Sequence, residues 1–322
     1  MTSSKGDPGG NQTISNVFVL VGFSYLKELQ ILLFVVLLVI YLLTVMGNLF
    51  IILLIKLSPS LHTPMYFFLV NLSFVDICFT SSVVPQLLAH LLVEEKTISI
   101  AACAAGMYVF TIMGPTHSCL LTAMAYDRYV AICHPLHYAT IMSSRVCALL
   151  TGASWGVGIL VGVPLTMSIF SLPLCRSNRI HHFFCDFPPV LKIACADTLQ
   201  IKAVGLMVAV LFTLGPLLLI LLSYICIIST ILMVPSGKGR WKLFSTCSSH
   251  LMVVTVTYGT ALITYLVPKP ASTSESDLFI SLLNTIVSPL LNPIIYTLRN
   301  KEVKGALRKT LQKSSFSHHW RN

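Results

Sequence analysis

Six stretches of this chain contain no Asp, Glu, Lys or Arg at all: Leu29–Ile55, Thr97–Tyr126, Val146–Cys175, Ala203–Gly237, Leu243–Pro268 and Leu278–Leu298. A seventh, Leu57–Val93, contains one, Asp76. A helix that crosses a bilayer needs about 20 mainly apolar residues, so each stretch is long enough. A water-facing domain carries about a quarter charged residues. Here only 10% are charged and 55% are hydrophobic, too little polarity to cover a solvated surface. The stretches are apolar nearly all round rather than on one stripe, which excludes a soluble helical bundle. They also lack the alternation over about ten residues that a membrane β-barrel requires. The sequence therefore predicts an all-α membrane protein, a bundle of seven transmembrane helices.

The basic residues orient it. With the N-terminus outside, the inner side holds thirteen Lys or Arg, among them Lys56, Arg128, Arg145, Lys238, Arg240, Lys242 and the cluster from Arg299 to Arg321, against the two acids Asp127 and Glu302. The outer side holds eight bases and eight acids, so the net charge of +10 arises on the inner side. This is the positive-inside pattern. The basic character is a topology signal, and no basic domain exists that would serve nucleic acid. Residues 1–26 are polar and Gly-rich and lack the basic and apolar regions of a cleaved signal, so the first span is expected to direct insertion. Asn11 opens a glycosylation sequon on this outer tail; Asn71-Leu72-Ser73 also matches but lies inside a span.

These boundaries give an extracellular tail over 1–26 and a seven-helix domain over 27–298. Its helices fall near 27–56, 62–90, 98–133, 144–172, 198–233, 240–267 and 275–298, and a cytoplasmic tail covers 299–322. In that tail Val303, Leu307 and Leu311 recur at helical spacing among Lys301, Lys304, Arg308 and Lys309. This predicts a short amphipathic helix on the anionic inner leaflet, with membrane lipid as its partner.

Topology also sorts the cysteines. Cys103, Cys175, Cys185 and Cys195 fall outside, where disulfides form, and four cysteines allow three pairings. Cys78, Cys119, Cys133, Cys147, Cys226 and Cys247 fall within spans or near the inner face and read as small buried hydrophobes. In the outer loop His182, Cys185 and Asp186 have the elements of a metal site, but an oxidised Cys185 offers no thiolate. The expectation is no metal and no cofactor.

Inside the spans, Asp76 is the only acid. A charge at that depth is costly, so Asp76 is expected to face the bundle interior as part of a functional polar site, with Asn48, Asn71 and Asn292 as neighbours. Pro289 and Pro293 are expected to kink or loosen the seventh helix, and Gly114-Pro115 and Gly215-Pro216 the third and fifth. Met107, Thr111, Gly114 and Ser118 share one face of the third helix, with Phe110 beside it. Tyr258, Leu262 and Tyr265 repeat on the sixth. Such a face suits a small, mostly hydrophobic, uncharged ligand. No acid or base stands in the outer half of these helices, which predicts against amine or peptide ligands.

With these features in place, the chain resembles an odorant receptor of the rhodopsin-like (class A) G-protein-coupled family along nearly its whole length. The resemblance rests on LHTPMYFFLVNLSFVD (61–76), MAYDRYVAICHPLHY (124–138), Ser223-Tyr224, KLFSTCSSHL (242–251) and PLLNPIIYTLRN (289–300), in that order. It implies that Cys103 pairs with Cys185 and Cys175 with Cys195. It implies that Asp127 restrains Arg128 at rest, that Tyr224 and Tyr296 swing toward Arg128 on activation, and that Tyr129, Lys242, Asn292 and Pro293 belong to the same switch and coupling region. A stimulatory olfactory-type G protein would bind the inner face. The odorant would sit among the third, fifth and sixth helices, against Phe110, Thr111, Gly114, Phe212, Leu262 and Tyr265. Two positions depart from the family pattern. Leu243 stands in a KLF where the family usually has KAF. His117 stands where members often carry a Glu that completes a sodium site with Asp76 and Asn292. A histidine is a poorer sodium ligand, and pairing of His117 with Asp76 is the alternative.

The competing classes fare worse. A class A receptor for a non-odorant small molecule shares every motif. A transporter would want an internal repeat or a charged pathway, and Asp76 is a single site. An intramembrane enzyme would want paired acids or a metal triad, and Asp76 and His117 are only two residues.

Overall fold

The computed structural model describes residues 17–23, 27–175, 177–267, 275–299 and 303–305, with the side chains of 27, 238, 242, 246, 275, 276 and 296–299 excepted. Its elements run β1 (Val17–Leu20), α1 (Gln30–Leu57), α2 (Pro64–Ser81), α3 (Val84–Leu91), β2 (Thr97–Ser99), α4 (Ile100–Cys133), α5 (Tyr138–Ile141), α6 (Ser144–Phe170), β3 (Arg179–Ile180), α7 (Phe187–Leu191), α8 (Leu199–Met233), α9 (Gly237–Tyr265), α10 (Glu275–Leu282) and α11 (Ser288–Arg299). A π-helical turn, Leu283–Val287, joins the last two. Among the described residues six helical segments are long and apolar enough to cross a membrane. The 34-residue α4 is long enough to be the seventh but more polar. It packs against α2, α6, α8 and α9.

Local chemistry explains where the helices depart from the expected ranges. The second span, expected over 62–90, is two helices. Pro85 has no N–H to give the carbonyl one turn back, so α2 ends at Ser81 and α3 restarts with the proline in its first turn. Pro289 likewise cannot donate to Thr285, and the wider π turn sits immediately before it. By contrast Pro115 and Pro216 lie inside α4 and α8, each of which remains one continuous helix. The sixth helix starts earlier than expected, at Gly237, because Ser236 caps it by accepting from the Gly239 N–H at 3.3 Å. The tail helix is seen only at 303–305, where Val303 is buried; Asn11 and the rest of 306–322 lie outside the described residues.

The fold is not purely helical. Strand β1 pairs antiparallel with β2 and parallel with β3, giving the sheet order β2-β1-β3. The segment expected over 1–26 as an extracellular tail thus contains the strand VFVL, whose alternate residues Phe18 and Leu20 are buried. The sheet stitches the N-terminal segment to the loops before α4 and after α6. Cys103, at the start of α4, is bonded to Cys185, and Cys175 to Cys195. Below this cap one core forms around Phe23, Val84, Leu88, Phe110, Phe183 and Phe184, and a second around Leu69, Leu72, Leu120, Met124, Tyr224 and Val254 toward the other end. Of the free cysteines, Cys226 differs from the expectation by being exposed on α8, facing away from the bundle.

Helices α4 and α6 approach closely because α6 presents Ser154, Gly158 and Gly162 one turn apart, all buried. A Cβ placed on Gly162 would stand 2.7 Å from the Ile112 nitrogen and 2.8 Å from the Thr111 carbonyl carbon. In that contact the Thr111 hydroxyl donates to Met107 O at 2.8 Å and lies 2.9 Å from Thr166 Oγ1.

Candidate functional site: a roofed cavity and an inner polar lock

A cavity of about 500 Å³ opens among α4, α6, α8, α9 and the π turn, with α7 over it. Phe110, Thr111, Gly114 and Ser118 from α4, Phe212 from α8 and Tyr265 from α9 line it, as the sequence predicts. Three expected residues do not. Met107 is buried among Cys103, Ile169 and Cys185, beneath the disulfide. Tyr258 is buried below the cavity, its hydroxyl 3.4 Å from Ser118 O. Leu262 is half-buried and faces elsewhere. Helical spacing gives a face only to within a residue or so, and the orientation of α9 against α4 decides the rest.

The lining that sequence reasoning missed includes the outer loop and most of the α8 contribution. Asp186, Phe187, Pro188, Leu191 and Lys192 form the roof. Asp186 N-caps α7, accepting from the Phe187 N–H at 2.8 Å, and also accepts a hydrogen bond from Tyr265. The roof is thereby tied to the end of α9. Lys202, in the first turn of α8, lines the mouth. The outer halves of the two helices considered bring no acid or base to the cavity, but the loop and α8 bring three charged residues, Asp186, Lys192 and Lys202. The signal was available, since a disulfide at Cys185 draws its neighbour Asp186 against the bundle.

The cavity floor reaches Asp76 and His117. Asp76 is completely buried; its Oδ2 accepts from Asn292 Nδ2 at 2.6 Å, and its Oδ1 stands 3.2 Å from His117 Nε2. The expected polar cluster is therefore formed by Asp76, His117 and Asn292. Asn48 joins the neighbouring wall by donating to Thr44 O and to Pro289 O, at 2.9 and 3.3 Å. Asn71 does not join. It turns to the opposite side of α2 and accepts from Trp155 Nε1 at 3.3 Å, fastening α2 to α6. Above the floor the π turn aims Asn284 and Ser288 inward, where they bond Thr260 (3.0 Å) and Thr257 (2.7 Å) of α9.

At the inner end of α4 the geometry differs from simple restraint of Arg128 by Asp127. Among the described residues no ion pair joins the two. Asp127 is buried and accepts instead from Tyr138 of α5, at 2.8 Å. Burial, and next the Asp127 charge, push the Tyr138 hydroxyl above its ordinary pKa, so it stays a donor. Arg128 is half-buried, its Nε without a partner. Adjacent residues leave a helix on different faces, which explains why Asp127 finds a loop tyrosine rather than its neighbour. Tyr224 holds neither: its hydroxyl is 3.0 Å from His250 Nδ1, and His250 Nε2 is 3.2 Å from Leu121 O. His250 thus links α8, α9 and α4 through one buried ring. It lies in the KLFSTCSSHL motif, yet nothing in its spacing marks it. Tyr129 bonds His134 at 3.1 Å, and Pro293 packs against Gly47 of α1. The side chains of Lys242 and Tyr296 lie outside the described residues.

A helical bundle with a roofed apolar cavity, a polar floor and a hydrogen-bonded inner end is what the motif set predicts, and comparison decides the family. The olfactory receptor family model matches residues 37–314. The chain belongs to the olfactory receptor family. It is 51% identical over 305 residues to human olfactory receptor 10A4, covering 94% of this chain and 97% of that one. Human olfactory receptors 10A5 and 10K1 are 50% and 51% identical, with 94% of this chain and 96% of each relative covered. This olfactory receptor family member is accordingly a multi-pass membrane protein of the G-protein-coupled class, and it is not an enzyme.

Proposed function

We propose that the protein is an odorant receptor that binds a small, mostly hydrophobic, uncharged molecule in the cavity between α4, α8 and α9. Binding there activates a stimulatory olfactory-type G protein and raises cAMP. The observation that carries this reading is the cavity itself: about 500 Å³, walled by Phe79, Phe110, Val161, Leu165 and Phe212, and roofed by a disulfide-anchored loop. Pockets of this size and lining take small apolar molecules fixed by a few polar groups. The plasma membrane is its location, with the N-terminus outside and the C-terminus inside, which is the orientation that puts the basic excess on the cytoplasmic side.

The inner end then serves as the switch. Arg128 is the residue released to the G protein, with Asp127, Tyr129, Tyr224, Lys242, Asn292, Pro293 and Tyr296 around it. The Tyr138–Asp127 bond and the Tyr224–His250–Leu121 chain are the contacts that opening the bundle breaks. The test is cAMP output from cells expressing the protein against an odorant panel. A ligand-dependent rise is expected, abolished by Arg128→Ala and right-shifted by Phe110→Ala. A response that survives Arg128→Ala unchanged refutes the switch, and silence to every odorant, with the receptor at the cell surface, refutes the reading as a whole.

A further inference from the structure

His117 is half-buried, with its side chain 12% exposed, and it lines the cavity; Asp76 behind it is sealed. Its Nε2 faces Asp76 Oδ1, and among the described residues Asp76 is its only polar partner. The other ring nitrogen, Nδ1, therefore has none. The other groups lining the floor, Ser118, Thr257, Asn284 and Ser288, are neutral, and Asn292 Nδ2 donates to Asp76 Oδ2. With Nε2 facing the carboxyl group, Nδ1 is the ring nitrogen left for a ligand, and as an N–H it is a donor with no acceptor among the described residues.

We infer, resting on the ligand-binding reading above, that His117, backed by Asp76, is the specificity-determining donor of this cavity and that it selects small apolar molecules bearing a carbonyl oxygen: aldehydes, ketones and esters. The walls supply the apolar contacts. Phe79, Phe110 and Phe212 take the hydrocarbon body, and the carbonyl turns down toward Nδ1. A hydrocarbon leaves this donor unpaired, and an ammonium meets it with like charge. An alcohol accepts as well but must also place its own proton. Sites built around a buried polar group reject analogues that cannot pair with it far more strongly than apolar walls reject a missing methylene.

The experiment uses the full chain in two readouts. One is cAMP response in cells. The other is thermal stabilisation of the detergent-purified receptor, which needs no G protein. The probes are matched sets on straight, branched and cyclic skeletons, each as carbonyl compound, alcohol, hydrocarbon, amine and carboxylic acid. At least one carbonyl member should act at about tenfold lower concentration than its hydrocarbon, the worth of roughly one hydrogen bond to a desolvated donor. His117→Phe should erase that ratio, while His117→Gln, which keeps an N–H, should retain part of it. If His117→Phe does not reach the membrane, the wild-type ratio still decides. Equal potency of carbonyl and hydrocarbon overturns the inference, as does a carbonyl preference intact in His117→Phe. A response confined to the acid and lost in Lys202→Ala also overturns it, by moving recognition to the mouth. Carbonyl-dependent stabilisation without any cAMP response upholds the inference and refutes the signalling proposal; absence of both effects for every carbonyl member overturns the inference.

Discussion

Gly162→Ala adds one methyl group to α6, and the added Cβ would stand 2.7 Å from the Ile112 nitrogen. The obstacle is backbone of α4, so no side chain can rotate out of the way. Restoring ordinary separation of about 3.5 Å requires the helices to part locally by about 0.8 Å. Overpacking of this kind costs about 1–3 kcal/mol. The parting also stretches the Thr111–Thr166 contact, now 2.9 Å, and the Thr111–Gly162 O contact, now 3.3 Å, each worth roughly 1 kcal/mol. The sum, about 3–5 kcal/mol, corresponds to a fall of roughly 5–7 °C in Tm. Because Thr111 also lines the cavity, ligand potency should fall with it. The comparison is Gly156→Ala, on the same helix, where an added Cβ meets nothing within 4 Å. That change should be neutral or stabilise by up to about 1 kcal/mol through helix propensity. The assay is thermal unfolding of the two purified variants in detergent beside the unsubstituted protein. Equal shifts for the two glycines would refute the reasoning, because composition and helix position are nearly the same and only the neighbour differs.

Three further outcomes follow from the polar contacts. His250→Ala removes the buried Tyr224–His250 and His250–Leu121 O contacts and should lower thermal stability by about 2–4 kcal/mol while raising basal cAMP; an unchanged basal signal argues against the His250 link as a restraint. Asp186→Ala and Tyr265→Phe both release the cavity roof, so in a double-mutant cycle on ligand potency their effects should be non-additive by roughly 0.5–3 kcal/mol; simple additivity would deny that they act as one latch. The Tyr138 hydroxyl is raised above its ordinary pKa of 10, so the stability it contributes is complete below that pH and is lost only as pH rises above it. The Tm difference between the unsubstituted protein and Tyr138→Phe should therefore stay constant through the neutral range, and a difference that shrinks there refutes the assignment.

The sequence by itself determined the membrane class, the approximate spans and the family, because each rests on local quantities. Twenty apolar residues without charge have one stable environment, whatever surrounds them. Proline breaks were legible for the same reason, although Pro85 broke a helix that was expected to be whole and Pro115 did not. What only tertiary structure decided is which neighbour each side chain meets. Period alone put Leu262 and Tyr258 beside Tyr265, but the orientation of α9 turned just Tyr265 into the cavity. Asn71 and Asp76 lie five residues apart on one helix, and they bond α6 and α11 respectively. Asp127 chose a tyrosine from α5 over the arginine beside it. Gly156 and Gly162 are indistinguishable in the chain and opposite in the fold. Partner choice depends on helix rotation and separation to about an ångström, and these are fixed jointly by all the packed helices rather than by any one stretch of sequence.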